Sequence, residues 1–198
     1  MSQSVVLASD RWRLVFESQA GRWRSRAELR RGEQWVALLE SIEGEDSDPW
    51  PPSPPWQETH LDQHAAAGPV LMLLGRAGTS HWSASVELAG SFAVFDCACR
   101  VKAAPQRLGQ RYRLLFDAEV RSRDGELAID GEPLALGERL LVRPVAPPGE
   151  QQPAEIEYLP AVREISIVVA GSSETGPKPS WPATLRWGFA LGVDARAP

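Results

Sequence analysis

Apolar and polar residues alternate along most of this chain, and a period of two marks β-strands buried on one face. Trp12, Leu14 and Phe16 alternate with Arg11, Arg13 and Glu17. Trp23, Ala27 and Leu29 sit among Arg22, Arg24, Arg26, Glu28 and Arg30. Trp82, Ala84, Val86 and Leu88 alternate with His81, Ser83, Ser85 and Glu87, and Phe95, Cys97, Cys99 and Val101 with Asp96, Ala98 and Arg100. The pattern returns at Tyr112, Leu114, Phe116, Ala118 and Val120 against Arg111, Arg113, Asp117 and Glu119. It closes with Leu185, Trp187, Phe189 and Leu191 against Thr184, Arg186 and Gly188. Each such strand turns an oily face to a core and a polar face outward. Val70 to Leu74 and Ile165 to Val169 carry apolar residues on both faces and are expected to be central strands covered on both sides.

Turn residues punctuate these runs: Gly21, Gly32, Gly68, Gly78, Gly90, Asp124-Gly125, Asp130-Gly131 and Gly171. Leu127 to Leu141, with its Asp130-Gly131, reads as a hairpin. Gln34 to Ile42 suits either a short helix or a strand. Glu43 to Pro55, Pro144 to Pro153 and Gly171 to Pro182 are loops by composition, since proline lacks the N–H that a central strand must donate. Roughly a dozen strands with almost no helix predict an all-β fold, a large antiparallel β-sandwich, formed by residues 1–198 as one domain.

Composition narrows the function classes. The formal net charge is −5, whereas nucleic-acid binders carry a basic excess that neutralises phosphates. The Arg22 to Arg31 face is the one basic stretch, it is broken by Glu28, and it reads as a solvated strand face. No apolar run reaches the length of a membrane span, and Met1 to Asp10 lacks the basic start and apolar stretch of a signal peptide. Two cysteines, Cys97 and Cys99, make no disulfide framework. No nucleic acid, no membrane and a cytoplasmic location are therefore expected, with oligomeric state left open. Eight Trp against two Tyr is the compositional anomaly, and indole serves both large cores and ligand surfaces.

Several groups are candidates for chemistry. His60, Asp62 and His64 share one face if their segment is a strand, but the two histidines are then about 13 Å apart, too far for one metal, whereas on a helix they would lie one turn apart and could chelate. A polar strand face is the simpler reading, and neither a metal nor any other cofactor is expected. His81 lies on a polar face beside Ser83 and Glu87, with no nucleophile elbow in the chain. Cys97 and Cys99 fall on the oily face and read as packing. Asp96, Arg100, Arg113, Asp117, Glu119 and Glu87 lie on polar faces of successive strands; if those strands adjoin, they make one polar floor suited to hydroxyl-rich ligands. Trp12, Trp23, Trp82 and Trp187 belong to the core side. Trp50, Trp56 and Trp181 lie in or beside proline-rich loops, where an indole either stacks on a sugar or caps the end of the sandwich.

Trp12-Arg13-Leu14-Val15-Phe16 followed by Gly21-Arg22-Trp23 resembles the first hairpin of galactose mutarotase-like β-supersandwich domains. The runs Ser80 to Glu87 and Phe95 to Val101 are similar to their central strands. The resemblance implies curved sheets whose concave face takes sugars. Epimerases of that family use a His acid and a late Glu base in local motifs that have no counterpart here; the last Glu, Glu174, lies in a loop, so no catalytic residue carries over.

These readings predict a carbohydrate-associated binding domain that uses a polar concave sheet face and loop tryptophans, with Trp50, Trp56, His60, His81, Arg100, Arg113 and Trp181 as ligand contacts. A sugar epimerase, isomerase or lyase on the same scaffold is the alternative, with His81 paired with Glu87 or Asp96 as its acid and base. A non-catalytic protein-interaction module is the third, and a large exposed apolar patch would be its mark.

Overall fold

The computed structural model describes residues 3–45, 47–65, 68–147, 154–169 and 180–195. Among them fifteen strands and no helix are found, and the segment 34–41 is a strand. The first half of the chain supplies β1 (Ser4–Ala8), β2 (Trp12–Gln19), β3 (Arg22–Arg31), β4 (Gln34–Ser41), β5 (Trp56–Asp62), β6 (Val70–Ala77), β7 (Ser80–Ala89) and β8 (Phe92–Val101). The second supplies β9 (Gly109–Leu114), β10 (Glu119–Arg123), β11 (Glu126–Asp130), β12 (Glu138–Val145), β13 (Glu155–Leu159), β14 (Glu164–Val168) and β15 (Ala183–Ala195).

The strands form two antiparallel sheets packed as a sandwich. One sheet has the order β1-β2-β3-β4-β9-β14-β13 and the other β10-β11-β12-β15-β8-β7-β6-β5. Two-residue hairpins join neighbours where glycine supplies a positive φ. Asp124 (φ 52°) and Gly125 (φ 80°), between the paired Arg123 and Glu126, are one such turn. The segment 127–141 does pair as a hairpin, Leu127 opposite Val142, but seven residues rather than Asp130-Gly131 alone separate β11 from β12. Of the segment expected to be a loop from 144 to 153, Pro144 and Val145 instead end β12, opposite Phe189 and Gly188 of β15, and residues 148–153 lie outside the described residues, as do 171–179 of the segment 171–182, Gly171 and Glu174 among them.

Between the sheets lies one contiguous core. Trp12, Leu14, Phe16, Ala27, Leu29 and Tyr112 enter it from the first sheet, and Trp82, Phe95, Cys97, Cys99, Trp187 and Phe189 from the second. Phe95 stacks on Phe189 with ring centres 4.4 Å apart, and the edge of one of Trp82 and Trp187 meets the face of the other. Both cysteines are free and buried; burial pushes the Cys97 thiol up and that of Cys99 up to about 12. They pack as small apolar groups.

Of the two strands expected to be covered on both faces, one is and one is not. In β14, Ile165, Ser166 and Ile167 are buried, so that strand is covered on both faces. In β6 only Leu71 and Leu73 are buried, while Met72 and Leu74 are 42% and 51% exposed on the outer face. Strand β6 lies next to the edge strand β5 and nothing among the described residues covers it.

Charge ties the two sheets at one end. Glu138, at the start of β12, is buried and accepts from Arg11, from Arg31 Nη2 at 2.5 Å and from the Ala135 N–H at 2.9 Å. Arg11 and Arg31 belong to the other sheet's side of the sandwich, so this carboxylate clamps the layers together.

Candidate functional site

Strand register decides which side chains meet. On the outer face of the eight-stranded sheet, Arg76, His81, Arg100 and Thr184 stand side by side on β6, β7, β8 and β15. The next row is Glu58, Leu74, Ser83, Ala98 and Arg186. Then come His60, Met72, Ser85, Asp96 and Gly188, and after them Asp62, Val70, Glu87, Val94 and Ala190. Neighbours within a row are about 4.8 Å apart and rows about 7 Å apart.

This grid creates a groove. Ser83 and Ala98 are short, so the surface dips between the longer Leu74 and Arg76 on one side and Arg100 and Thr184 on the other. The resulting open depression holds about 820 Å3 and is also lined by Gln57, Glu58, Gly75 and His81. A smaller pocket of about 330 Å3 continues it past His81 and Arg100 to Thr79, Lys102 and Pro182. Gly75 makes the bend at its wall: β5 bulges between Trp56 and Glu58, and a Cβ on Gly75 would lie 2.1 Å from the Pro55 carbonyl oxygen.

The expected residues divide between this groove and elsewhere. His81 and Arg100 line it, and His60 lies exposed on the same face, two rows away. Glu87 is three rows from His81, about 20 Å along β7, and Asp96 is about 14 Å away. Neither shares a substrate atom with His81, and Asp96 instead pairs with Arg186 at 2.7 Å. Asp62 accepts the His64 N–H at 2.9 Å in the turn after β5. Among the described residues no three His, Cys, Asp or Glu gather as metal ligands.

Arg113 is the chief correction. Strand β9 joins the seven-stranded sheet beside β4, so Arg113 faces away from Arg100 across the whole sandwich and pairs with Glu40 at 3.4 Å. Asp117 lies in the β9–β10 connection, and Glu119 lies on β10 at the edge farthest from the groove. The single polar floor does not form, because the chain leaves one sheet for the other between β8 and β9. The loop tryptophans also change role. Trp56 opens β5 and is only 2% exposed, so it offers no face at the rim. Trp50 and Trp181 are half-buried and pack against the core. The loop that carries Trp50 is pinned by Ser53 Oγ donating to the Arg111 carbonyl at 3.0 Å and Arg107 Nη2 to the Trp50 carbonyl at 2.9 Å.

The opposite outer face shows what a self-neutralised surface looks like. Glu28 is buried and accepts from Arg13 Nε and Arg26 Nε, each at 2.6 Å, and Arg26 also reaches Glu17 at 3.4 Å. Arg13 additionally stacks over Trp35 at 4.4 Å. A pocket of about 300 Å3 there contains Glu43, which the alternation did not single out. Burial holds its carboxyl above the ordinary range, against the hydrogen bond from Ser41 and the nearby Arg24 and Arg22. The signal was the continued period of two, Leu39, Ser41, Glu43, which carries an acid into the inward register.

No protein-family model matches this chain, and no curated protein matches it.

Proposed function

We propose that this chain is a non-catalytic binding domain whose groove on the outer face of the eight-stranded sheet takes a saccharide. The observation that carries the reading is the groove itself: small residues at its floor, Ser83 and Ala98, and hydrogen-bonding groups along its sides, Gln57, Glu58, Arg76, His81, Arg100 and Thr184. Hydroxyl-rich ligands are held by several such groups at once, and exposed Leu74 offers the apolar patch on which a ring's C–H face rests. The likeness of the early hairpin and central strands to mutarotase-like domains supports the same reading. The distance from His81 to Glu87 and Asp96 favours binding over acid–base catalysis. Two free, buried thiols support a cytoplasmic location.

Titration calorimetry of the full chain against neutral and acidic disaccharides tests this. Saturable binding to one class is expected, lost in Ser83→Trp, which fills the groove floor from an exposed position. Binding that survives Ser83→Trp places the site elsewhere, and a flat response to every saccharide removes the reading.

A further inference from the structure

We infer, resting on the saccharide reading above, that the ligand is acidic: Arg76, His81 and Arg100, extended by Lys102, form a subsite for a carboxylate or sulfate on the sugar. The row is unusual in its pairing. Arg76 and Arg100 flank His81 directly across the sheet on either side. Opposite charges paired across neighbouring strands stabilise a sheet, and neither arginine has such a cross-strand partner. Among the described residues no carboxylate lies within ion-pair distance of Arg76, Arg100 or Lys102. Glu58 lines the same groove, one row away, and makes no pair with them. On the opposite outer face Arg13, Arg26, Arg111 and Arg113 each have a carboxylate partner, and the two without one among the described residues, Arg24 and Arg30, lie six positions apart on one strand rather than side by side across strands.

An unpaired cationic row within an acidic chain is a standing attraction for an anion. Arg76 and Arg100 are about 10 Å apart across β7, which suits one anionic group held between their two guanidinium heads and the His81 ring. Thr184 and Ser83 beside them supply hydroxyls for the rest of the sugar. The two arginines rise on opposite sides of the groove, so a bound acid lies over its short floor residues.

The test compares a neutral disaccharide with a uronate disaccharide and a sulfated disaccharide of equal size, by calorimetry on the full chain at low and raised salt. The acidic sugars are expected to bind about tenfold tighter, the scale of one charge-assisted contact. That preference disappears in Arg100→Gln and in Arg76→Gln and shrinks with salt, while Arg113→Gln on the far face changes nothing. All three positions are exposed, and the melting temperature of each variant verifies folding. Whether uronate or sulfate wins names the anion. Equal affinity for neutral and acidic sugars, unchanged in Arg100→Gln, overturns the charge inference and leaves the saccharide reading standing. Inorganic sulfate bound through Arg100 with no sugar of either kind bound retains the anion subsite and overturns the saccharide. Single-stranded DNA bound more tightly than either acidic disaccharide overturns the proposal in favour of a polyanion.

Discussion

Glu43 carries a free-energy cost that its neighbours only partly offset. Burial disfavours its anion, so the folded-state pKa lies above that of the unfolded chain, although Ser41 donates to it at 2.6 Å. Below the unfolded value both states are protonated and the cost is nil. As pH rises through the interval up to the raised folded value, the unfolded chain releases a proton that the folded chain keeps, and stability falls. Glu43→Gln is therefore expected to be more stable than wild type at neutral pH, with a gain that shrinks toward acid. Urea denaturation of both proteins from pH 4 to 8 measures it, and a pH-independent difference would sink the argument. Residue-level legibility was uneven in a consistent way. Trp12, Trp82 and Trp187 were readable as core because polar or side-chain-free neighbours flank each one. Trp56 was not, because the prolines before it signal a loop while the strand begins at the tryptophan itself.

Strands were legible wherever one face is oily and the other polar; where both faces read as oily, the expectation of a covered strand held for β14 and failed for β6. In β6 the alternation cannot say which of Leu71/Leu73 and Met72/Leu74 meets the core, so a half-exposed strand looked like a central one. The bend that sets its wall rests on a single atom. Adding a methyl at Gly75 drives it onto the Pro55 carbonyl, which is backbone and must move. Gly75→Ala is expected to cost about 1–3 kcal/mol, the range for overpacking a tight site. Chemical denaturation gives that number, and a loss below a few tenths of a kcal/mol would mean that the β5 bulge relaxes freely. Gly125 has only Pro144 Cγ near the site of a Cβ, at 3.8 Å, so an alanine there tests the turn's positive φ rather than space.

The order of strands in the sheets was the part that alternation leaves out. β15, the longest strand, lies between β12 and β8, although it is the last in the chain. The chain crosses from one sheet to the other between β8 and β9, which is why Arg100 and Arg113 share a pattern but not a surface. Long-range charge holds the assembled layers. Glu138→Ala removes a buried carboxylate that two arginines and an N–H address, and about 2 kcal/mol of stability is expected to go with it. Glu138→Gln, which keeps one oxygen, loses less. A melting curve in which the alanine variant matches wild type would show that Arg11 and Arg31 are equally content in water.

An open sandwich, unlike a barrel, also leaves strand edges, and here they are guarded unequally. β10 is lined with Glu119, Arg121 and Arg123, β13 with Glu155 and Glu157, and β5 with Glu58, His60 and Asp62. Charges on an edge discourage a stranger's backbone from docking there. β1 reads Ser-Val-Val-Leu-Ala with no charge at all, and among the described residues it has no neighbour beyond it. β1 is therefore the edge expected to accept a foreign strand most readily, and a lysine in place of exposed Val6 is the smallest change that would protect it.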